Sequence, residues 1–455
     1  MKKKFNSISL AALLVNYMVG FGFIATIMKI VNLGPWGILV ISLTLFVAIA
    51  TALVFTRLSN NFHEEDGGSM YFAKQTGKES FAFYVGFNQY AQYPLFSASG
   101  PLFLVTAAET LTSNNIVLWI VRIFSIMFFI FLAFVSTSKL KTSKFIIFGA
   151  AIVKWIILFI GFAILLYLAT KFNYYSYNFT HYQDVNTYLI LSNSLSFMFA
   201  FSGIEIMPSF AKESKVRNYK KVFIILFGTV LFIYFIGYVL FLGTKISIFD
   251  GKFVNIYTQV HHYGSILFII FLIFYNVSDT LTSQLAYSRT LSYFAKQGYL
   301  PKKIALENEN GEHKNAIWLN TIIILTFMTF FVLLPEILKA LGVKIEKDYF
   351  NSFLDLGTMT YLIQYVGSFI TLLLLEQQKK VRKIALIEKM FYFVAIFILV
   401  SMILVRLFPF LADGPWKVSN WISLFTFILI HIIIFTLIYL KKQRNKKEIL
   451  AKANN

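Results

Sequence analysis

The chain alternates between long apolar runs and short polar or basic stretches. Apolar runs fall at about 8–30, 37–58, 80–105, 116–136, 145–169, 188–211, 222–244, 264–294, 316–335, 350–375, 389–409 and 419–440. Each approaches the roughly 20 residues that an α-helix needs to cross a hydrocarbon core of roughly 30 Å. The pattern predicts an all-α polytopic membrane protein with 12 transmembrane helices. Two runs are interrupted, the first by Gly20-Phe21-Gly22 and the sixth by Ser202-Gly203-Ile204-Glu205. Hydrocarbon cannot satisfy bare peptide groups, so a break at that depth is tolerated only where it faces protein, water or a ligand. Matched breaks in spans 1 and 6 predict broken helices around a midplane site for a small solute.

Segments five spans apart enter the membrane with opposite polarity. Residues 8–169 and 188–375 are therefore expected to form a 5+5 inverted repeat, and 389–440 to add two helices. Together they make one transmembrane domain over 1–440, followed by a basic cytoplasmic tail at 441–455. The repeat is inferred from the positions of the breaks, since the halves share no evident identity.

Composition agrees with that outline. Hydrophobic residues make up 58% of the chain and charged residues 14%, outside the soluble range. The net charge of +20 raises nucleic acid as a partner, and the placement of the charges argues against it. With the N-terminus inside, 30 of the 41 Lys and Arg fall on the inner side and 9 on the outer, leaving Arg122 and Lys154 within spans. This positive-inside bias puts both termini in the cytoplasm of a plasma-membrane protein, its basic loops against anionic lipid. Lys2-Lys3-Lys4 and the apolar run through Ile30 read as the first span, because no small-residue cleavage site closes the run.

Several classes of chemistry are disfavoured. There are no cysteines, which removes disulfides and thiolate chemistry. No loop is long enough for a soluble catalytic domain. His63, His181, His261, His262 and His313 lie in loops and only His431 lies in a span, so no helical His-x-x-x-His pair exists. No cofactor or metal is implied. A polytopic membrane enzyme and a channel remain as weaker alternatives to a carrier.

Further motifs accompany the breaks. The loop between spans 2 and 3 carries Asp66-Gly67-Gly68-Ser69-Met70-Tyr71, and span 6 reads Phe201-Ser202-Gly203-Ile204-Glu205 with Glu213 and Lys215 beyond it. After span 8 come Ser288-Arg289, Ala295, Gly298 and Leu300-Pro301. In this order and spacing the chain resembles the amino acid–polyamine–organocation (APC) superfamily of permeases. Lys141, Ser143 and Lys154 match the spacing of its branch similar to cationic amino acid transporters. The resemblance implies a LeuT-like 5+5 fold, an amino acid substrate and proton coupling, with Lys154 where other members hold sodium. Three positions depart from the family pattern: Phe21 stands where a small residue is usual, Tyr219 replaces a loop proline, and Gln297 replaces an aspartate. The first is expected to narrow the pocket.

The chemistry of the breaks fits a zwitterion. Backbone N–H groups at Gly20, Phe21 and Gly22 open a half-helix whose partial positive charge suits a carboxylate. Carbonyls freed between Phe199 and Gly203 suit an ammonium group. Met18, Gly20, Phe21, Gly22, Phe199, Ala200, Ser202 and Gly203 are the candidate substrate-binding residues. Phe199 aligns with an aromatic that closes over substrate in the resembling family, and ordinary packing is its other explanation.

Lys154, Glu205 and Asp279 are the candidate coupling or gating residues. An ionisable group at Glu205 costs at least about 2.5–3.5 kcal/mol in a bilayer and needs a partner, whether as a titrating hub or a static strut. Lys154 lies too deep to reach the interface easily. It is expected to load and release a proton while donating to carbonyls of spans 1 and 8, or else to pair with Glu205 or Asp279. Asp279 either favours a cationic substrate or neutralises Lys154, and the second is preferred. Polar Asn88, Gln89, Tyr90, Gln92 and Tyr93 are expected to face the interior, while Arg122 and Asp355 near span ends call for no special role. The expected activity is amino acid uptake with a proton, or alternatively sodium, with exchange of an amino acid for another amino acid or for a polyamine as the runner-up.

Overall fold

The computed structural model describes residues 5–62, 67–138, 140–210, 214–216, 218–261, 263–342 and 349–453. Asp66, Glu213, His63 and His262 lie outside the described residues, as does the side chain of Lys141. The chain forms α1 (Ser7–Met18), α2 (Phe21–Val31), α3 (Trp36–Asn61), α4 (Gly68–Lys74), α5 (Glu79–Ser97), α6 (Gly100–Ala108), α7 (Asn115–Ser136), α8 (Leu140–Phe172) and α9 (Tyr175–Thr180). It continues through α10 (Thr187–Met198), α11 (Tyr219–Leu242), α12 (Asn255–Thr258), α13 (Gly264–Lys296), α14 (Lys314–Met328), α15 (Leu334–Ala340), α16 (Tyr349–Gln377), α17 (Leu386–Leu407) and α18 (Val418–Ala453). Asparagines set several helix starts: Asn6, Asn114, Asn186 and Asn218 each accept from a backbone N–H of the first turn, which the helix itself leaves unpaired.

Among the described residues, 10 helical segments are long and apolar enough to cross a membrane, and the bent pair α1–α2 makes 11. The difference from the expected 12 lies in the predicted third span. It is built from α5 and α6, which part at Ala98–Ser99. Its face is too polar to pass as an ordinary span, because Asn88, Gln89 and Gln92 are buried against protein. The residues expected as a tail are helical through Ala453, in continuity with α18.

α5 packs along α16, α8 along α13, and α1 along α11. These pairs surround the two breaks. Large exposed side chains such as Phe131, Phe145, Ile387 and Phe397 line the outside of the bundle, as a lipid-facing surface requires. At one end Lys215 N–H donates to the Phe5 carbonyl at 2.8 Å, and Arg289 donates to the Ser209 carbonyl at 2.8 Å. Elsewhere Asp355 accepts from Ser196 Oγ at 2.7 Å and pairs with Arg406 at 3.3 Å. Arg122 pairs with Glu336 at 3.3 Å and stacks on Trp119. Asp355 and Arg122 are thus buried ties between helices, a correction to the sequence reading that gave them no role.

A candidate solute site between two interrupted helices

Both expected breaks are present. α1 ends at Met18, α2 starts at Phe21, and their axes differ by 52°. In the sixth span α10 gives way to a 3-10 turn at Phe199–Phe201, a non-helical Ser202–Gly203 step and a second 3-10 stretch, Ile204–Phe210. Gly203 has φ +125°, where an L side chain is strained, and an added Cβ would meet the Tyr17 ring at 2.6 Å. Gly22 serves a different need. A Cβ there would stand 2.4 Å from the Phe199 carbonyl oxygen, so glycine lets the two breaks touch backbone to backbone.

The freed peptide groups are largely satisfied by side chains of unbroken helices. Lys154 Nζ on α8 donates to the carbonyls of Asn16 and Val19, the second at 2.9 Å. Tyr234 Oη on α11 lies 2.9 Å from the Met18 carbonyl and 2.6 Å from that of Ala200, so one hydroxyl spans both breaks. The Gly203 N–H donates to both carboxylate oxygens of Glu205, at 3.1 and 3.0 Å, and Tyr365 Oη donates to the same carboxylate at 2.8 Å. Gln89 donates to the Glu205 carbonyl at 2.8 Å and accepts from Ser69 N–H at 2.9 Å, which ties the start of α4 to span 6. Tyr90 donates to Asn320 at 3.0 Å.

These partners revise parts of the sequence reading. Among the described residues Lys154 donates to carbonyls of span 1 and to none of span 8. From span 8 it meets the Tyr275 ring at 5.7 Å, because α13 presents an aromatic there rather than a free carbonyl. Among the described residues neither Glu205 nor Asp279 comes within ion-pair distance of it, and Asp279 interacts with it electrostatically from beyond that distance. The Ala200 carbonyl, expected to face an ammonium group, is taken by Tyr234.

A cavity of about 60 Å³ lies between the breaks, α5–α6, α7 and α13. Met18, Phe21, Gly22, Phe199, Ser202 and Asp279 line it. Gly20, Ala200 and Gly203 lie buried just outside, Gly20 beneath the Tyr275 ring. Lys154 and Glu205 are buried behind the walls, where they hold the breaks in shape. Sequence reasoning missed Tyr17, Tyr275 and Asn276 in the lining and Tyr234 behind it. The one available signal was their polarity within apolar runs, faint in a chain with 25 tyrosines. The arrangement offers helix-end donors, shielded carbonyls, an aromatic wall and one carboxylate, a set suited to gripping a small polar solute. Among the described residues no cluster of His, Cys, Asp and Glu has metal-site geometry.

Uncharacterized protein MG225 of Mycoplasma genitalium is 27% identical over 477 residues, covering 98% of this chain and 96% of that protein. The Uncharacterized protein MG226 homolog of Mycoplasma pneumoniae is 26% identical over 468 residues, covering 93% of this chain and 92% of its own length. Residues 5–435 match the family described as amino acid permease, which points to transport rather than catalysis. A multi-pass helical bundle, two interrupted spans facing one cavity, and a match across nearly the whole length lead to one assignment: the chain belongs to the amino acid permease family.

Proposed function

We propose that this protein is a secondary active transporter that imports an amino acid with a proton across the plasma membrane by alternating access. In this reading α5–α6 counts as the third of twelve spans. Spans 1–5 and 6–10 form the inverted repeat, and both termini are cytoplasmic. The solute carboxylate sits at the start of α2 and its ammonium group near the 199–203 turn, with Met18, Phe21, Gly22, Phe199 and Ser202 around it.

The observation that carries coupling is the position of Lys154. A charged lysine makes strong hydrogen bonds to the Asn16 and Val19 carbonyls and holds the first break in its bent form. Loss of the proton weakens both bonds and lets span 1 move relative to α8. Glu205 anchors the second break through Gly203 and Tyr365, giving the two halves separate supports.

The test is uptake by purified protein in liposomes with imposed pH or sodium gradients. Wild type is expected to accumulate a labelled amino acid when the outside is acidic. Lys154→Ala should lose gradient-driven accumulation and retain exchange against a preloaded amino acid. Unchanged pH-driven accumulation by that variant would refute the role of Lys154, and uptake seen solely by exchange in wild type would favour an antiporter.

A further inference from the structure

The cavity has two unlike sides. Polar groups gather along the breaks, α5 and α13, where Tyr17, Tyr93, Ser202, Tyr275 and Asp279 line it. The one carboxylate among them is balanced within the protein, since Asp279 interacts with the Tyr275 hydroxyl one turn earlier and with the charge of Lys154 behind the wall. On the opposite side α6, α7 and α14 contribute Phe103, Leu104, Phe128, Phe129, Leu132 and Met328, six side chains without a nitrogen or oxygen. Polar residues bordering that side are spent on their own helices. Ser125 Oγ donates to the Val121 carbonyl at 2.7 Å, Ser99 Oγ to that of Phe96 at 2.5 Å, and the Asn276 amide to that of Leu272 at 2.8 Å. Arg122, the one charge on α7, turns to Glu336 and the Trp119 ring and stays out of the lining.

A zwitterion held at the breaks therefore sends its side chain toward a surface of carbon. A polar or charged side chain entering there gives up water and gains no partner, whereas an apolar one gains by leaving water. Ring positions set the size. Phe21, at the start of α2, is in ring contact with Phe103, and Phe96 stacks on Phe199 with centroids 4.3 Å apart. The space left is about 60 Å³. A further ring brought by the solute fits only if one of these four moves, and an aliphatic group makes no such demand.

We propose that the α6–α7–α14 side of the cavity is a specificity pocket for an uncharged aliphatic side chain, and that Phe21 is the residue that keeps aromatic side chains out. This inference deepens the transporter reading and rests on it.

The experiment is counterflow in liposomes containing the purified protein, with labelled leucine, glutamine, lysine and phenylalanine. Relative to leucine, glutamine brings an amide, lysine a charge and phenylalanine a ring. Wild type is expected to carry leucine at least about tenfold faster than each of the other three, the scale set by burying an unpaired polar group or overfilling a packed site. Phe21→Ala should raise the ratio of phenylalanine to leucine transport by at least about tenfold while glutamine and lysine stay refused. A gained substrate cannot come from lost folding, thermal unfolding identifies a variant that fails to fold, and the wild-type ranking stands without any variant. Glutamine or lysine carried as fast as leucine, or leucine refused while another amino acid is carried, overturns the pocket assignment. Phenylalanine carried as fast as leucine by wild type, or an unchanged ratio in folded Phe21→Ala, overturns the role of Phe21. Each of these results leaves the transporter reading intact, whereas absence of transport for all twenty amino acids overturns both.

Discussion

Gly22→Ala tests whether the two breaks must touch. The added Cβ would lie 2.4 Å from the Phe199 oxygen, 2.7 Å from its carbonyl carbon and 2.8 Å from Ala200 Cα. All three are backbone atoms, so no side chain can rotate out of the way. Real Cβ contacts stay above 3.0 Å, so the start of α2 and the 199–201 turn must part by roughly 0.6 Å or more, which overpacking data place at about 1–3 kcal/mol. A displacement of about 1 Å in a positioned site costs on the order of a hundredfold in rate, so uptake should fall at least roughly tenfold. The control is Gly149→Ala in α8, where nothing lies within 4 Å of the new Cβ and a helical alanine should add about 0.5–1 kcal/mol. Liposome uptake and thermal unfolding in detergent read both effects. If Gly22→Ala matches wild type in uptake and unfolding temperature, the direct contact of the breaks has no functional weight.

Two further outcomes are expected. Tyr234→Phe removes the hydroxyl shared by the Met18 and Ala200 carbonyls and leaves buried acceptors unpaired, at a cost of about 1–3 kcal/mol, so unfolding temperature and uptake should fall together. A variant with wild-type stability would show that another donor serves both carbonyls. His313, in the loop before α14, is held neutral by burial, with Lys296 adding to the effect, and its pKa is pushed down to about 4. Because the folded value lies below the unfolded value of about 6.5, the stabilisation is complete above about pH 6.5 and is lost as pH falls toward 4, by about 2 kcal/mol at pH 5. Unfolding temperatures of wild type and His313→Gln between pH 7.5 and 5 should converge on acidification, and parallel curves would rule the histidine out as the cause.

Much of the fold was legible because hydrocarbon leaves a helix few options. Apolar runs of membrane length reappear as helices within a few residues, as at Gly264–Lys296 and Leu386–Leu407. The breaks were legible for the same reason, since glycines and a glutamate inside apolar runs require local partners. Those partners were not. Nothing in the neighbourhood of Tyr234 or Tyr365 distinguishes them from tyrosines that only pack, because their roles depend on carbonyls that approach from distant spans. The third span was read as a single apolar run over 80–105, and its division between α5 and α6 was not anticipated. Pro101 lies in the first turn of a new helix, where its missing N–H removes no helical bond. Arg122 and Asp355 were passed over because a charge near a span end ordinarily reaches water. Their counter-ions, Glu336 and Arg406, come from other helices.

The length of α18 has a mechanical consequence. Its 36 residues measure about 54 Å, against a hydrocarbon core of about 30 Å, so a substantial portion must stand in water. Lys441, the first charge after the apolar run, is clamped to Glu79 at 2.9 Å and lies over the Tyr299 ring at 4.2 Å. That clamp marks a waterline shared by α18 and α5, with the remaining basic turns as a stilt above it. Because α5 also lines the cavity, the last span and the cavity wall are tied to one another at that level.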